Sequence, residues 1–185
     1  MRRAKGAGVE AERSAYQGTI DEALRIVYSH HHRLVSRLFP DAEQPLDMEA
    51  LRSGPLGRDL RRLAALARGE DRESKDLVLE RIDSVLQLLF WPPMSVDYTV
   101  PRSFWETPLG KMMSMAKYRA YESAELVSIN AAAQRLGVTR PTIYRWMDER
   151  SLGYVRDEMS GRTFVVENDV EKMLTDAQQV IEVSA

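Results

Sequence analysis

Apolar positions follow helical spacing along most of this chain and change to strand spacing only near residues 154–166. Ile20, Leu24, Val27, His31, Leu34, Val35 and Leu38 recur at intervals of three and four, which lays one stripe along a helix that Pro40 ends. Ser14 or Thr19 starts that helix, since each has Gln17 or Glu22 three residues on, the reciprocal capping arrangement. A short helix is predicted from Asp47 to Gly54. Another over 58–68 carries Leu60, Leu63, Ala64 and Ala67 on one side, with Arg58, Arg61, Arg62 and Arg68 largely outside. Val78, Ile82, Val85, Leu86 and Leu89 form the broadest stripe and predict a helix over 71–90, stopped by Trp91-Pro92-Pro93. Each helix has a face that must be buried, so 14–92 reads as a helical bundle for self-association or partner binding.

The flanking stretches differ. Residues 1–13 are small, charged and glycine-containing, which predicts a mobile basic arm carrying Arg2, Arg3, Lys5 and Arg13. Residues 93–123 read as a proline-marked connector and a linking helix that opens at Thr107-Pro108. Leu109, Met112, Met113, Ala116 and Ala120 lie in line on that helix, with Lys111, Lys117 and Arg119 to the outside. The methionines at 112, 113 and 115 read as helix core rather than as an adaptable partner groove.

The stretch 126–174 is the most specific part of the chain. Ser128 is a good N-cap for a short helix with Ile129, Ala132, Ala133 and Leu136 in apolar spacing, and Gly137 stops it. Val138 packs into the elbow, Thr139 caps the next helix, and Pro141 sits in its first turn, where the missing N–H costs little. Ile143, Trp146, Met147 and Arg150 share one face of that helix, and the first three are expected in the core. Tyr154-Val155-Arg156 and Arg162 to Val166 read as two strands around turn material at 157–161. Asn168 or Asp169 then caps a last helix with Val170, Met173 and Leu174 inside.

Three motifs here resemble the excisionase-type, MerR-like winged helix-turn-helix: Leu136-Gly137-Val138-Thr139-Arg140-Pro141-Thr142-Ile143-Tyr144-Arg145, Gly161-Arg162-Thr163-Phe164, and Asp169-Val170. The resemblance covers 126–174 only. It implies a C-terminal winged helix-turn-helix with a small β-hairpin over 124–178, and with the N-terminal helical bundle read from spacing it makes the expected fold mainly α, ending in a tail at 179–185. MerR-type regulators carry their DNA module first, so nothing about their effector pockets transfers to this chain. Excisionases are usually shorter.

Candidate DNA-contacting residues follow from position. Thr139, Arg140 and Thr142 stand at a helix start, where N–H groups and the helix dipole favour a phosphate. Arg145, one turn on, reaches either a guanine edge or a phosphate, and Tyr144 either a phosphate, a sugar or a thymine methyl. Arg156 and Arg162 lie on the hairpin, which winged folds lay along the minor groove or the backbone. The alternative is that these arginines only solvate the surface or pair with Asp148, Glu149, Asp157 and Glu158. Across 124–174 seven basic residues stand against eight acidic ones, a net charge of −1. Phosphate neutralisation supplies most non-specific affinity, so one copy is expected to bind weakly and two copies to be needed.

Composition narrows the class. Apolar residues make up 44% of the chain, the net charge is −2 and the pI about 6.0, which suits a soluble, cytoplasmic protein with real cores. There is no cysteine, hence no disulfide framework and no thiolate metal site. Met1-Arg2-Arg3-Ala4-Lys5-Gly6 is basic with no apolar run after it, which argues against a signal peptide, and no window has the length of a membrane span. Adjacent residues on a helix diverge by about 100°, so His30-His31-His32 does not converge on a metal. No catalytic constellation and no cofactor or metal motif is present, so no enzyme is expected. The expectation is a sequence-specific binder of double-stranded DNA, a transcriptional regulator acting as a homodimer. The alternatives are an antitoxin whose bundle holds a protein partner, or an excisionase-like factor that bends DNA.

Overall fold

The computed structural model describes residues 3–38, 47–90 and 97–183, with side chains over 14–37, 47–90 and 97–176. Among these residues the chain is mainly helical, with one three-stranded antiparallel sheet, and it divides into two units, Met1–Ala116 and Lys117–Ala185. The expected helix stops at Pro40 and at Trp91-Pro92-Pro93 lie outside the described residues. No helix among the described residues is long and apolar enough to cross a membrane.

The first unit contains α1 (Arg3–Leu38), α2 (Met48–Ser53), α3 (Pro55–Arg68), α4 (Lys75–Phe90), a 3₁₀ turn at Arg102–Glu106 and the start of α5 (Pro108–Ala120). α1 begins at Arg3, within the expected arm and ahead of both expected starts. Ala4, Ala7 and Ala11 favour helix there, and neither expected start caps it. Thr19 instead donates its hydroxyl to the Ala15 carbonyl at 3.0 Å, a mid-helix arrangement.

α3 packs against α1, α2 and α4 and forms the centre of this unit. It buries Leu60, Leu63, Ala64 and Ala67, as its spacing predicts, and adds Leu56 and Leu66. Ile20, Ala23 and Leu24 of α1 and Val78, Ile82, Val85 and Leu86 of α4 complete the layer. Each such leucine or isoleucine contributes about 1.5–3 kcal/mol relative to exposure. Gly57 allows the α2–α3 corner: a Cβ there would stand 2.1 Å from the Arg52 carbonyl oxygen, so any side chain would force the two helices apart. Met112, Met113 and Met115 are buried, in agreement with a core role.

Arg58 and Arg61 of α3 are exposed, as the spacing predicts, and Arg62 and Arg68 half-buried, but each has an acceptor within the unit. Arg61 donates to the Arg52 carbonyl at 2.7 Å, and Arg58 to the Ser53 carbonyl at 2.8 Å. Arg62 pairs with Glu73 at 2.7 Å and with Asp71, while Arg81 of α4 pairs with Glu73 at 2.9 Å and with Asp59. Asp71 and Glu73 therefore lie ahead of α4, which begins at Lys75 rather than at the expected 71. The Arg81 hydrogen bond, followed by that of Arg62, holds Glu73 below the usual carboxylate range against the opposing effect of burial.

The second unit runs from the last turn of α5 through a 3₁₀ turn at Ser123–Glu125 to β1 (Leu126–Ser128), α6 (Ile129–Arg135) and α7 (Arg140–Asp148). It continues with β2 (Tyr154–Asp157), β3 (Arg162–Val166) and α8 (Glu167–Val183). The sheet order is β1-β3-β2, all antiparallel. β1, absent from the hairpin expected from sequence, pairs Leu126 with Val166, Val127 with Val165 and Ser128 with Phe164. Ile129, Ala132, Ala133, Ile143, Met147, Leu152, Val165 and Val170 form the core, and Val127, Leu136, Val138, Trp146, Met173 and Leu174 pack against it partly buried. Trp146 is thus at the margin of the core rather than inside it.

α8 differs from expectation at both ends. Neither Asn168 nor Asp169 caps it, since it begins at Glu167, and the Asp169 carboxylate instead accepts the Gly153 N–H at 2.9 Å. The helix runs on to Val183 through most of the expected 179–185 tail, where Ala177, Val180 and Ile181 continue the apolar spacing of Val170, Met173 and Leu174 in the sequence.

Candidate nucleic-acid interface

The connection between α6 and α7 is set by local chemistry. The Ser128 hydroxyl accepts the Ala131 N–H at 3.2 Å and so caps α6. At the other end Gly137 has φ +65°, Val138 donates its N–H to the Ala133 carbonyl at 3.0 Å, and Gly137 donates to Gln134 at 3.3 Å. These are the two bonds of a Schellman turn, and the left-handed residue costs glycine nothing. Thr139 then takes the N-cap position of α7 with Pro141 in the first turn. Its hydroxyl, however, meets the Thr142 hydroxyl at 3.0 Å and makes no cap bond to the backbone. α7 ends in a second Schellman turn: Ser151 donates to the Trp146 carbonyl at 2.9 Å and Arg150 to Met147 at 3.2 Å. Arg150, expected on the face of α7, is the left-handed residue there, at φ +59°.

α7 is two-sided. Ile143 and Met147 are buried and Trp146 half-buried, whereas Thr139, Arg140, Tyr144 and Arg145 are exposed and Thr142 is half-buried beside them. The exposed arc carries two guanidiniums, a phenol and the N-terminal amides of one helix. Arg145 Nε lies 3.8 Å from Glu149, with the two side chains 65% and 55% exposed. A pair so open to water contributes little, so an incoming anion displaces Glu149 cheaply. Arg135, just ahead of this motif, is structural: it ties α6 to the start of α8 through Glu167 at 2.6 and 2.8 Å.

The hairpin arginines do not share a surface. Arg156 stands opposite Thr163 and Arg162 opposite Asp157, and successive strand positions face opposite ways. Arg156 lies on the side of Tyr154 and Val165, the side that packs on the core formed with α6 and α7. It is half-buried, with Nε 3.5 Å from Glu158. Arg162 is exposed and faces the side of Val155 and Phe164. The structure thus gathers Thr139, Arg140, Thr142, Tyr144 and Arg145 on α7 and separates Arg156 from Arg162.

The hairpin apex is closed by its own residues. Gly161 donates to the Asp157 carbonyl at 2.8 Å and has φ +69°. The Asp157 carboxylate accepts the Ser160 hydroxyl and the Met159 N–H, the latter at 3.0 Å. These bonds, the Ser160 hydroxyl first, hold Asp157 below its ordinary pKa.

Sequence reasoning missed the last turn of α5. Arg119 is exposed as expected, but Lys117 is half-buried, donates to the Tyr154 carbonyl at 2.9 Å and lies 5.9 Å from the centre of the Tyr154 ring. Lost hydration lowers its pKa, with Asp169 opposing. Tyr118 stacks on Phe164 at 6.0 Å, and Arg119 lies 3.7 Å from the Met159 sulfur. The signal available in the sequence was Tyr118 among basic neighbours, but its partner Phe164 is far along the chain. Among the described residues no group of three or more His, Cys, Asp or Glu side chains is arranged to hold a metal. No family model, no curated protein and no solved structure matches this chain.

Proposed function

We propose that the protein is a sequence-specific binder of double-stranded DNA, most simply a transcriptional regulator, in which the second unit is a winged helix-turn-helix of the excisionase-type, MerR-like kind. In this reading α7 enters the major groove and the β2–β3 hairpin is the wing. The observation that supports it is the division of α7, with Arg140, Tyr144 and Arg145 exposed to water while Ile143 and Met147 are in the core. Arg140 and Thr142 hold phosphate at the helix start, Arg145 reads a base edge or holds phosphate, and Arg162 follows the backbone from the wing. Arg156 has the weakest case, being half-buried and close to Glu158.

With a net charge of −1 over 124–174, a single copy neutralises few phosphates. The proposal therefore includes a homodimer formed through the first unit, which places two copies on two half-sites. The protein performs no catalytic step in this reading. Selection of bound fragments from a random DNA pool by the full chain tests it. Recovery of a two-part site is the expected result, and failure to retain any duplex at low ionic strength overturns it. Recovery of tandem repeats would instead favour an excisionase-like accessory.

A further inference from the structure

We propose that Met159, at the apex of the β2–β3 hairpin, is an apolar wedge that enters between base pairs in the minor groove and kinks the duplex. This rests on the DNA-binding reading above and adds a deformation that the reading does not require. Met159 is 79% exposed, more than any other large apolar side chain on the exposed surface of the described residues. The turn does not need it: the Asp157 carboxylate, the Ser160 hydroxyl and the left-handed Gly161 close the apex, and Met159 contributes only its backbone N–H. The other side chains of the turn are the Asp157 and Glu158 carboxylates and the Ser160 hydroxyl, so Met159 is its one apolar side chain, kept largely in water with only its sulfur against Arg119.

The surroundings suit a wedge. Arg162 is exposed on the strand that leaves the apex, and Arg119 lies 3.7 Å from the Met159 sulfur, so two guanidiniums stand near the apolar tip beside the Asp157 and Glu158 carboxylates of the turn. Such a tip meets phosphate rails on either side while its slender, flexible chain presses into the stack. Proteins that insert apolar side chains in this way unstack one step and bend DNA by about 20–90° toward the major groove. Pyrimidine–purine steps kink most readily, so the wing would favour a TA or CA step although it reads no base there.

The test uses the full chain and a duplex of roughly 30 base pairs recovered by the selection above, with a fluorophore at each end. The wild-type protein should raise energy transfer between the ends on binding. Met159→Ser should bind the duplex with transfer close to that of free DNA, and Met159→Leu should restore the wild-type signal. Wild-type binding without increased transfer, or equal transfer with Met159→Ser, overturns the wedge and leaves the DNA-binding reading standing. Failure of the wild-type protein to retain any duplex removes both. Because Met159 is exposed, circular dichroism of the serine variant should match the wild type, which keeps the comparison free of folding effects.

Discussion

The two units use arginine in opposite ways. In the first, Arg58, Arg61, Arg62 and Arg81 point along or between helices and are consumed by carbonyls and by Asp59, Asp71 and Glu73. In the second, Arg140, Arg145 and Arg162 stand in water on a helix start and a hairpin, while Arg135 is tied to Glu167 and Arg156 is half-buried beside Glu158. Counting basic residues therefore says little about where an anion can bind. What matters is whether each guanidinium already has its carboxylate. A groove lined by Pro55, Arg58, Asp59, Arg62 and Arg81, about 380 Å³ in volume, illustrates this: Arg62 and Arg81 there are paired with carboxylates, while Arg58 donates to the Ser53 carbonyl.

The sharpest break of this comparison is in the core that presents α7. Ile143→Ala, at a fully buried site, should destabilise the second unit by about 2–5 kcal/mol and abolish DNA binding together with its thermal transition. A variant that remained folded and bound DNA would mean that α7 is not held as described. Next in size is Glu73→Gln, which removes the charge and one of the two acceptor oxygens that two guanidiniums share. It should cost the first unit about 1–3 kcal/mol in denaturant unfolding without altering DNA affinity at equal dimer concentration. The same pairing predicts a pH dependence. Glu73 has a folded pKa below its unfolded one, so its contribution is complete above the ordinary carboxylate range and is lost as pH falls through the lowered value. Urea midpoints measured on acidification should fall for the wild type and change less for Glu73→Gln.

Arg145→Ala inverts that pattern. It should leave stability within about 0.5 kcal/mol and weaken DNA binding by about 1–3 kcal/mol. Relaxed base preference among selected sites would assign Arg145 to a base edge, and uniform weakening to a phosphate. Loss of stability with unchanged binding would erase the distinction between the units. The smallest effect concerns Arg150, a non-glycine residue at φ +59°. Arg150→Gly should raise the melting temperature slightly, by about 0.5–1 kcal/mol of stability, because glycine relieves the left-handed strain of the Schellman turn. A decrease would show that the Arg150 side chain contributes more than its backbone costs.

Local chemistry was legible in the sequence and distant partnership was not. Ser128, Gly137 and Pro141 act within four residues of themselves, and the structure places each as the sequence indicates. Asp169 has the composition of a cap, but its carboxylate is drawn to the Gly153 N–H, a partner that no local pattern names. β1 is three residues long and is a strand only because β3 lies beside it. Lys117 reads as a surface lysine until Tyr154 arrives to take its proton donor. The candidate contacts on α7 were legible because helical spacing alone separates Ile143 from Tyr144. The separation of Arg156 from Arg162 required the hairpin register, which depends on how many residues the turn takes up.

The position of β3 between β1 and β2 has a mechanical consequence. Ser128 closes β1 opposite Phe164 and also caps α6, so the protruding ribbon is riveted to the start of the helix beneath it, while Tyr118 braces Phe164. Such a ribbon is held at its root from two sides, by the strand beside it and by an aromatic ring, while its two-stranded end projects beyond both.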